Sequence, residues 1–430
     1  MVGASKMPDS DIHTWTTDGF GRFRSVWQFD DFWTRANTFE ACLRLVMAAR
    51  AKWPGDPEVA AMETFLRQTM IPANQAYFNS YLSRGMWADD YGWCGIASLT
   101  ARDYLLSVGD AGSAAAYLAI AEDCWKKMYT EGYDPSDTAR PVPHGCGNGS
   151  GTDPGTKNTV TNANLFVLSL RLYDVFSSTD EQVADAYLEM CYRQFVWFSS
   201  WFESEHRYMR TVAVRCGLVQ ERPIAKPSYE KKDRPTWEPG WAWTGDQGLV
   251  LGALAGILEI KDALHEWIEA NGVDPSFDPD VFQNDVVAWI VTIVTGTRSL
   301  LFGAADNVLR EPPFNSSFVD DPKDYVCGRG VLLRYLSEAA VRPYLGDQFS
   351  IGIAATAKAV WNSRDTATKQ FGADWNPAND AAFNEQFAKA WRFGDTEVSW
   401  PYGPDSGAPE NGILQAVGLD VLGAAIPILA

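Results

Sequence analysis

Three pairs of adjacent aspartates stand in this 430-residue chain: Asp30–Asp31, Asp89–Asp90 and Asp320–Asp321. Two carboxyls are what cleavage of a glycosidic bond requires. One protonates the leaving oxygen while the other attacks the sugar or activates water. Context separates the three pairs. Asp320–Asp321 precedes Pro322 and Lys323 in a polar stretch and reads as solvated. Asp30–Asp31 lies among Trp27, Phe29, Phe32 and Trp33. Asp89–Asp90 occupies the run Met86-Trp87-Ala88-Asp89-Asp90-Tyr91-Gly92-Trp93, a loop expected to feed a helix starting near Gly92. A helix N-terminus favours carboxylates through the macrodipole, and Trp87, Tyr91 and Trp93 offer flat apolar faces that can wall a sugar site. The same pattern also suits an N-cap and an ordinary first-turn acid with no chemistry. Asp89 and Asp90 are the preferred catalytic pair, and Asp30–Asp31 is the rival.

Two further stretches put polar groups at the start of apolar helices. Gly145-Cys146-Gly147-Asn148-Gly149-Ser150-Gly151-Thr152-Asp153-Pro154-Gly155-Thr156-Lys157-Asn158 leads into a helix carrying Asn162. It matches neither nucleotide-binding glycine spacing. The amides of Asn158 and Asn162 offer both donor and acceptor to hydroxyls, though helix capping in a mobile loop explains them as well. Trp241-Ala242-Trp243-Thr244-Gly245-Asp246-Gln247-Gly248 is built alike, with Asp246 and Gln247 as hydroxyl ligands or Asp246 as a cap.

The elements that must hold these groups are helical. Trp93, Ile96, Ala97, Thr100, Tyr104 and Val108 follow helical spacing, as do Leu165, Leu168, Leu172 and Phe176. Gly248 to Ile260 is apolar nearly all round, as in a helix buried between neighbours. Comparable runs lie near 38–51, 181–202, 285–300, 330–342, 351–361 and 411–428. Only Tyr208 to Val214 reads as a short strand or hairpin. Loops rich in Gly, Pro, Asp and Asn separate the helices at 132–158, 222–245 and 310–323. About a dozen helices in pairs fit an all-α chain. A closed (α/α)6 toroid is one arrangement of such pairs, and an irregular bundle or open solenoid are others. No fixed-period repeat supports a regular solenoid.

Bulk properties exclude more than they assign. A net charge of −19 opposes phosphate backbones, so nucleic acid is not an expected partner. Four histidines without i, i+4 spacing argue against zinc, and no G-x-S-x-G elbow appears. The seven cysteines are odd in number and lack C-x-x-C spacing, so complete intramolecular pairing is ruled out. Residues 1–14 lack the apolar core of a signal peptide, and no uninterrupted apolar stretch reaches membrane-spanning length. The compartment is therefore left open between cytoplasmic and, if a leader was removed, secreted or cell-surface. No linker divides the chain, which is read as a polar segment at 1–22 followed by one domain at 23–430.

Taken together and in order, the motifs resemble glycoside hydrolase family 76. The resemblance rests on Asp89-Asp90-Tyr91-Gly92-Trp93, on Thr152-Asp153-Pro154 with Lys157-Asn158 and Asn162, and on Asp246-Gln247-Gly248. It extends to the run from Gly328 to Leu336 and to Trp361-Asn362-Ser363-Arg364, so it spans Trp27 to the C-terminus. It implies an (α/α)6 fold, no cofactor, and endo-acting hydrolysis or transglycosylation of α-1,6-linked mannan with retention. Asp89 maps onto the nucleophile and Asp90 onto the acid/base. Cys94, Asn148, Ser150 and Gly245 replace aromatic residues usual in that family. The expectation is a monomer acting on an oligo- or polysaccharide, with Trp87, Tyr91, Trp93, Asn158, Asn162, Asp246 and Gln247 around the sugar. The alternatives are a sugar epimerase or isomerase on the same toroid, and a non-catalytic glycan-binding protein.

Overall fold

Apolar residues at helical spacing, with Asp or Asn at several entry points, produce a chain that is helical almost throughout. A computed structural model describes residues 8–28, 32–133, 145–150, 155, 157–203, 209–221, 242–315, 326–391, 398–399 and 412–429. The helices are α1 (Asp9–Phe23), α2 (Phe32–Lys52), α3 (Pro57–Phe65), α4 (Ile71–Leu82), α5 (Ala88–Ser107), α6 (Ala111–Lys127), α7 (Thr159–Phe176), α8 (Glu181–Glu203), α9 (Thr244–Glu259), α10 (Lys261–Asn271), α11 (Pro279–Gly296), α12 (Gly328–Leu336), α13 (Asp347–Asn362), α14 (Asp380–Trp391) and α15 (Gly412–Leu429). Local chemistry fixes several starts. Asp56, Asp110, Asn158 and Asp278 each accept a backbone N–H from the first turn they cap, and Pro57 and Pro279 follow two of these caps where no N–H is needed.

Six helices close a ring. α2 packs on α5, α5 on α7, α7 on α9, α9 on α12, α12 on α15, and α15 returns to α2. Contacts join residues at similar depth along each helix, so all six run in the same direction. Thr100 and Arg171, each thirteenth in its helix, are hydrogen-bonded between α5 and α7. Arg334, seventh in α12, meets Asp420, ninth in α15, and Glu40, ninth in α2. At Gly248 the approach is so close that a Cβ would lie 2.7 Å from the Leu332 Cα, which only glycine avoids. The ring helices are buried on nearly every side, which explains why their apolar residues encircle the axis. α6, α8, α11 and α13 pack outside α5, α7, α9 and α15 respectively. This is the (α/α)6 toroid.

α15 is apolar and long enough to cross a membrane by length and composition, but 78% of it is buried inside the molecule as a ring helix. α1 runs across the 22/23 boundary drawn from sequence. It buries Ile12, Thr16, Gly19, Phe20 and Phe23 and packs on α15. The expected strand is a hairpin, β1 (Met209–Ala213) with β2 (Cys216–Val219), in which Met209 faces Val219 and Arg215 turns the chain at φ 52°. β3 (Phe314–Asn315) pairs with β4 (Val398–Ser399). All seven cysteines are buried, and none is joined to another in a disulfide.

At the ring's centre, burial alone would push Glu40 up, but Arg44 and Arg334 hold its carboxyl below the ordinary range. Arg334 also forks onto both oxygens of Asp420 at 2.7 and 2.8 Å. These bonds tie α2, α12 and α15 together.

Candidate active site

Because the six ring helices are parallel, their N-terminal turns gather at one end of the toroid. Asp89 and Asp90 are there, but α5 begins at Ala88 rather than near Gly92. The pair therefore sits in the first helical turn and not in a loop. Helix geometry separates successive side chains by about 100° around the axis. Asp90 turns inward, 7% exposed, and its Oδ2 accepts the Trp87 N–H at 3.3 Å. Asp89 is half-buried, and its Oδ1 accepts the Asp90 N–H at 3.1 Å. The buried Tyr91 hydroxyl donates to the Arg84 carbonyl and accepts from Met86 N, which fixes the approach to the helix. Trp87 is 44% exposed. Trp93 is buried and meets Trp243 edge-to-face at 6.3 Å, joining the start of α5 to that of α9. Asp30–Asp31, Asp320–Asp321 and Thr152-Asp153-Pro154 lie outside the described residues.

The glycine-rich segment is laid against the acid pair by its backbone. Ala88 N donates to Gly149 O, and Gly147 N to Gly132 O. Asn162 holds the segment from the other side. Its Oδ1 accepts Cys146 N at 2.6 Å, and its Nδ2 donates to Cys146 O at 2.9 Å. Asn158 caps α7 and donates to Glu221 Oε1 at 2.5 Å, while Glu221 Oε2 accepts Val160 N. Burial pushes the Cys146 thiol up; the nearby Asp89 carboxylate adds to this and Lys157 opposes it. Cys146, Asp89 and the buried Lys157 thus share one neighbourhood.

Gln247 does for α9 what Asn162 does for α7. Its Oε1 accepts Val219 N at 2.8 Å and its Nε2 donates to Val219 O at 2.7 Å, tying β2 to the helix. The same device recurs on α15, where Gln415 Oε1 accepts Phe371 N and its Nε2 donates to Phe371 O. Each of these amides is the fourth residue of its ring helix. Asp246, expected in a loop, is buried in the first turn of α9. The amides of Asn162 and Gln247 are thus engaged with loop backbone, while Trp87, Asp89, Asp90, Trp93 and Asp246 share the N-terminal end.

Sequence reasoning did not single out Glu311, Arg329 or Gln415. Glu311 is fully buried, accepts Thr244 N at 3.1 Å and the Thr244 hydroxyl, and bridges to the backbone of Arg329 at the start of α12. Burial pushes its carboxyl up to about 7, while Thr244 and Arg329 draw it down. The Arg329 guanidinium lies 3.5 Å from the Trp375 ring centroid and donates to Ala373 O. No spacing in the 310–323 loop marks Glu311, whereas the recurrence of an amide at the fourth helical position was available as a signal for Gln415. Among the described residues, one group of His and carboxylate side chains lies close enough to share an ion: His13, Asp56 and Glu58 beside α1 and α3, where Asp56 is already the α3 cap.

No protein-family model matches the sequence, and no curated protein matches it. Solved structures do match in fold. One is an inactive variant of the α-1,6-mannanase GH76A of Salegentibacter sp. HEL1_6, with Asn at two consecutive Asp positions, in complex with α-1,6-mannotriose. It is 15% identical, with 97% of this chain and 100% of that chain covered at a TM-score of 0.58. Another is the glycoside hydrolase family 76 mannosidase Bt3792 from Bacteroides thetaiotaomicron VPI-5482, 12% identical, with coverage of 97% and 98% and a TM-score of 0.55. The Lin0763 protein of Listeria innocua matches at 12% identity, 96% of each chain and a TM-score of 0.55. The fold expected from the motifs is the fold observed.

Proposed function

We propose that this chain is a glycoside hydrolase acting on α-mannan, with α-1,6 linkages as its substrate and retention of anomeric configuration. The observation that carries this reading is the Asp89–Asp90 pair in the first turn of a ring helix, at the end of the toroid where all six N-termini meet. It is supported by similarity in fold to an α-1,6-mannanase whose variant at two consecutive Asp positions is inactive.

Asp89, the more exposed acid, attacks the anomeric carbon and forms a glycosyl ester. Asp90 protonates the departing oxygen, and then takes a proton from the water that hydrolyses the ester. A double displacement needs the two carboxyls about 5–5.5 Å apart. Divergence of adjacent side chains on a helix is a direct way to open such a gap. Trp87, Tyr91, Trp93 and Asp246 shape the sugar site. Asn158, Asn162 and Gln247 serve it by fixing the segments that line it.

The test is product analysis on α-1,6-linked mannan and manno-oligosaccharides, with anomer-resolved NMR. Wild type yields shorter oligosaccharides of retained configuration, and Asp89→Asn and Asp90→Asn yield none. If wild type cleaves no α-linked glycan yet binds one, and both variants bind equally, the chain is a glycan-binding protein and this reading fails.

A further inference from the structure

One polar side chain beside the acid pair has no task in the double displacement. Asn164, sixth in α7, is fully buried, and neither its amide oxygen nor its amide nitrogen has a hydrogen-bond partner among the described residues. We propose that Asn164 is a positioning residue for Asp89, its amide donating to the Asp89 carboxylate once a sugar covers that acid. This role deepens the hydrolase reading and depends on it.

Its place follows from how α5 sits in the ring. Asp89, Trp93, Ile96 and Thr100 recur at i, i+4, i+7 and i+11 and so share one face of α5. That face looks into the ring. Trp93 reaches Trp243 at the start of α9, a helix that is not α5's neighbour, and Thr100 meets both Glu40 of α2 and Arg171 of α7. Gly92 is three residues on from Asp89, at the edge of this face where α5 packs on α7. A Cβ at Gly92 would lie 2.5 Å from the Asn164 Cβ and 3.2 Å from its Nδ2. The Asn164 amide therefore lies against the gap left by Gly92, one helical turn from Asp89, where Cβ positions are about 5–6 Å apart. Helical side chains lean toward the N-terminus of their own helix. Because α5 and α7 are parallel, that lean carries the amide toward the level of Asp89.

An amide so placed costs the fold stability, because burial strips its water and nothing in the free chain replaces it. Asp89 has the complementary need. It is half-buried in the free chain, and a sugar seated over it removes the water that remains. A nucleophilic carboxylate must stay ionised there, and a donor from the protein holds it so. The second step gains from the same donor. Water's oxygen bonds the anomeric carbon and its proton passes to Asp90, while the ester bond breaks with its electron pair going to the Asp89 oxygen. Negative charge thus returns to the Asp89 carboxylate beside the Asn164 N–H.

The experiment compares wild type with Asn164→Leu, which keeps the branched shape without the polar atoms. Thermal unfolding and the pH dependence of kcat on α-1,6-linked manno-oligosaccharides are measured for both. The variant is expected to unfold about 1–3 °C higher, since a stranded amide is gone. It turns over about tenfold or more slowly, with KM within about twofold. The acid limb of its kcat profile, which reports groups in the substrate complex, moves up by about half a unit or more as Asp89 loses a donor. Asn164→Ala gives the same kinetic change with a smaller side chain, so overpacking by leucine cannot account for it. Ser98→Ala removes another buried hydroxyl without a partner, on the opposite face of α5 from Asp89, and leaves kcat and its acid limb at wild-type values. Equal kcat in wild type and Asn164→Leu overturns the proposal. So does a slower variant whose acid limb stays in place, or the same kinetic change in Ser98→Ala. A wild type without turnover removes the hydrolase reading and this role together, whereas the other three outcomes remove the role alone.

Discussion

Asn162 and Cys146 exchange two hydrogen bonds as if they were facing residues of a sheet, the side-chain amide of one standing in for a strand partner of the other. This relationship holds the glycine-rich segment against the start of α5, where Gly149 O receives Ala88 N. Asn162→Ala leaves the buried N–H and carbonyl of Cys146 without that partner, a loss of about 1–3 kcal/mol. The expected outcome is a lower denaturation midpoint and faster proteolysis within 145–158, with turnover falling more than stability alone explains. Proteolysis at the wild-type rate would show that the segment is held by something else.

Asp90 combines two roles that can be separated. Its carboxylate accepts Trp87 N at the first turn of α5, and under the proposed mechanism it also carries the proton. Asp90→Ala loses the helix-end bond and is destabilised by about 1 kcal/mol. Asp90→Asn keeps an acceptor there and retains most of that stability. Both lose hydrolysis. Thermal unfolding of the two variants beside their activity on an α-1,6-linked substrate checks the split; activity in Asp90→Asn near wild type would remove Asp90 from the chemistry.

How much of this was legible in the chain follows from what each signal measures. Apolar spacing reports which face of a segment is buried, so the helices containing Leu165–Phe176 and Gly248–Ile260 were readable from it. Closure of the ring depends on contacts such as Arg334 with Asp420 and Glu40, which are remote in sequence and leave no local period. It came instead from the order of motifs resembling a known family. The helix start was misplaced because Trp87-Ala88-Asp89-Asp90 reads as a polar loop. In the structure those acids form the first turn, one of them bonded to the helix end. Asn162 and Gln247 stood out by residue type, but type does not tell a hydroxyl ligand from a backbone clamp, since an amide suits both.

The Arg334 centre predicts an asymmetric mutational response. Arg334→Met leaves Glu40 and Asp420 buried with much of their compensation removed, at about 3–5 kcal/mol. Following it with Glu40→Gln and Asp420→Leu removes the stranded charges and recovers a large part of that loss. Urea unfolding of the single and triple variants measures both steps. A triple variant no more stable than Arg334→Met would mean that packing, and not the buried charge, dominates there.

Glu311 predicts how stability changes between mildly acidic and neutral pH. Burial raises its carboxyl from 4.5 to about 7, against the pull of Thr244 and Arg329. Between those values the folded chain keeps the proton and the unfolded chain releases it. The unfolded state thus binds fewer protons, and stability falls as pH rises. The contribution is complete below about pH 4.5 and is lost by the time pH has passed about 7. It amounts to on the order of 3–4 kcal/mol at about 1.4 kcal/mol per unit. Asp374 acts in the same direction, raised from 3.8 to about 7 by burial and by neighbouring Asp380. Comparing wild type with Glu311→Gln isolates one of the two. The amide keeps an acceptor for Thr244 but cannot ionise, so denaturant unfolding at pH 5, 6 and 7 should show a shallower decline in the variant. Parallel declines in the two proteins would mean that Glu311 is charged throughout and that its anion is held by the N-terminal turns of α9 and α12.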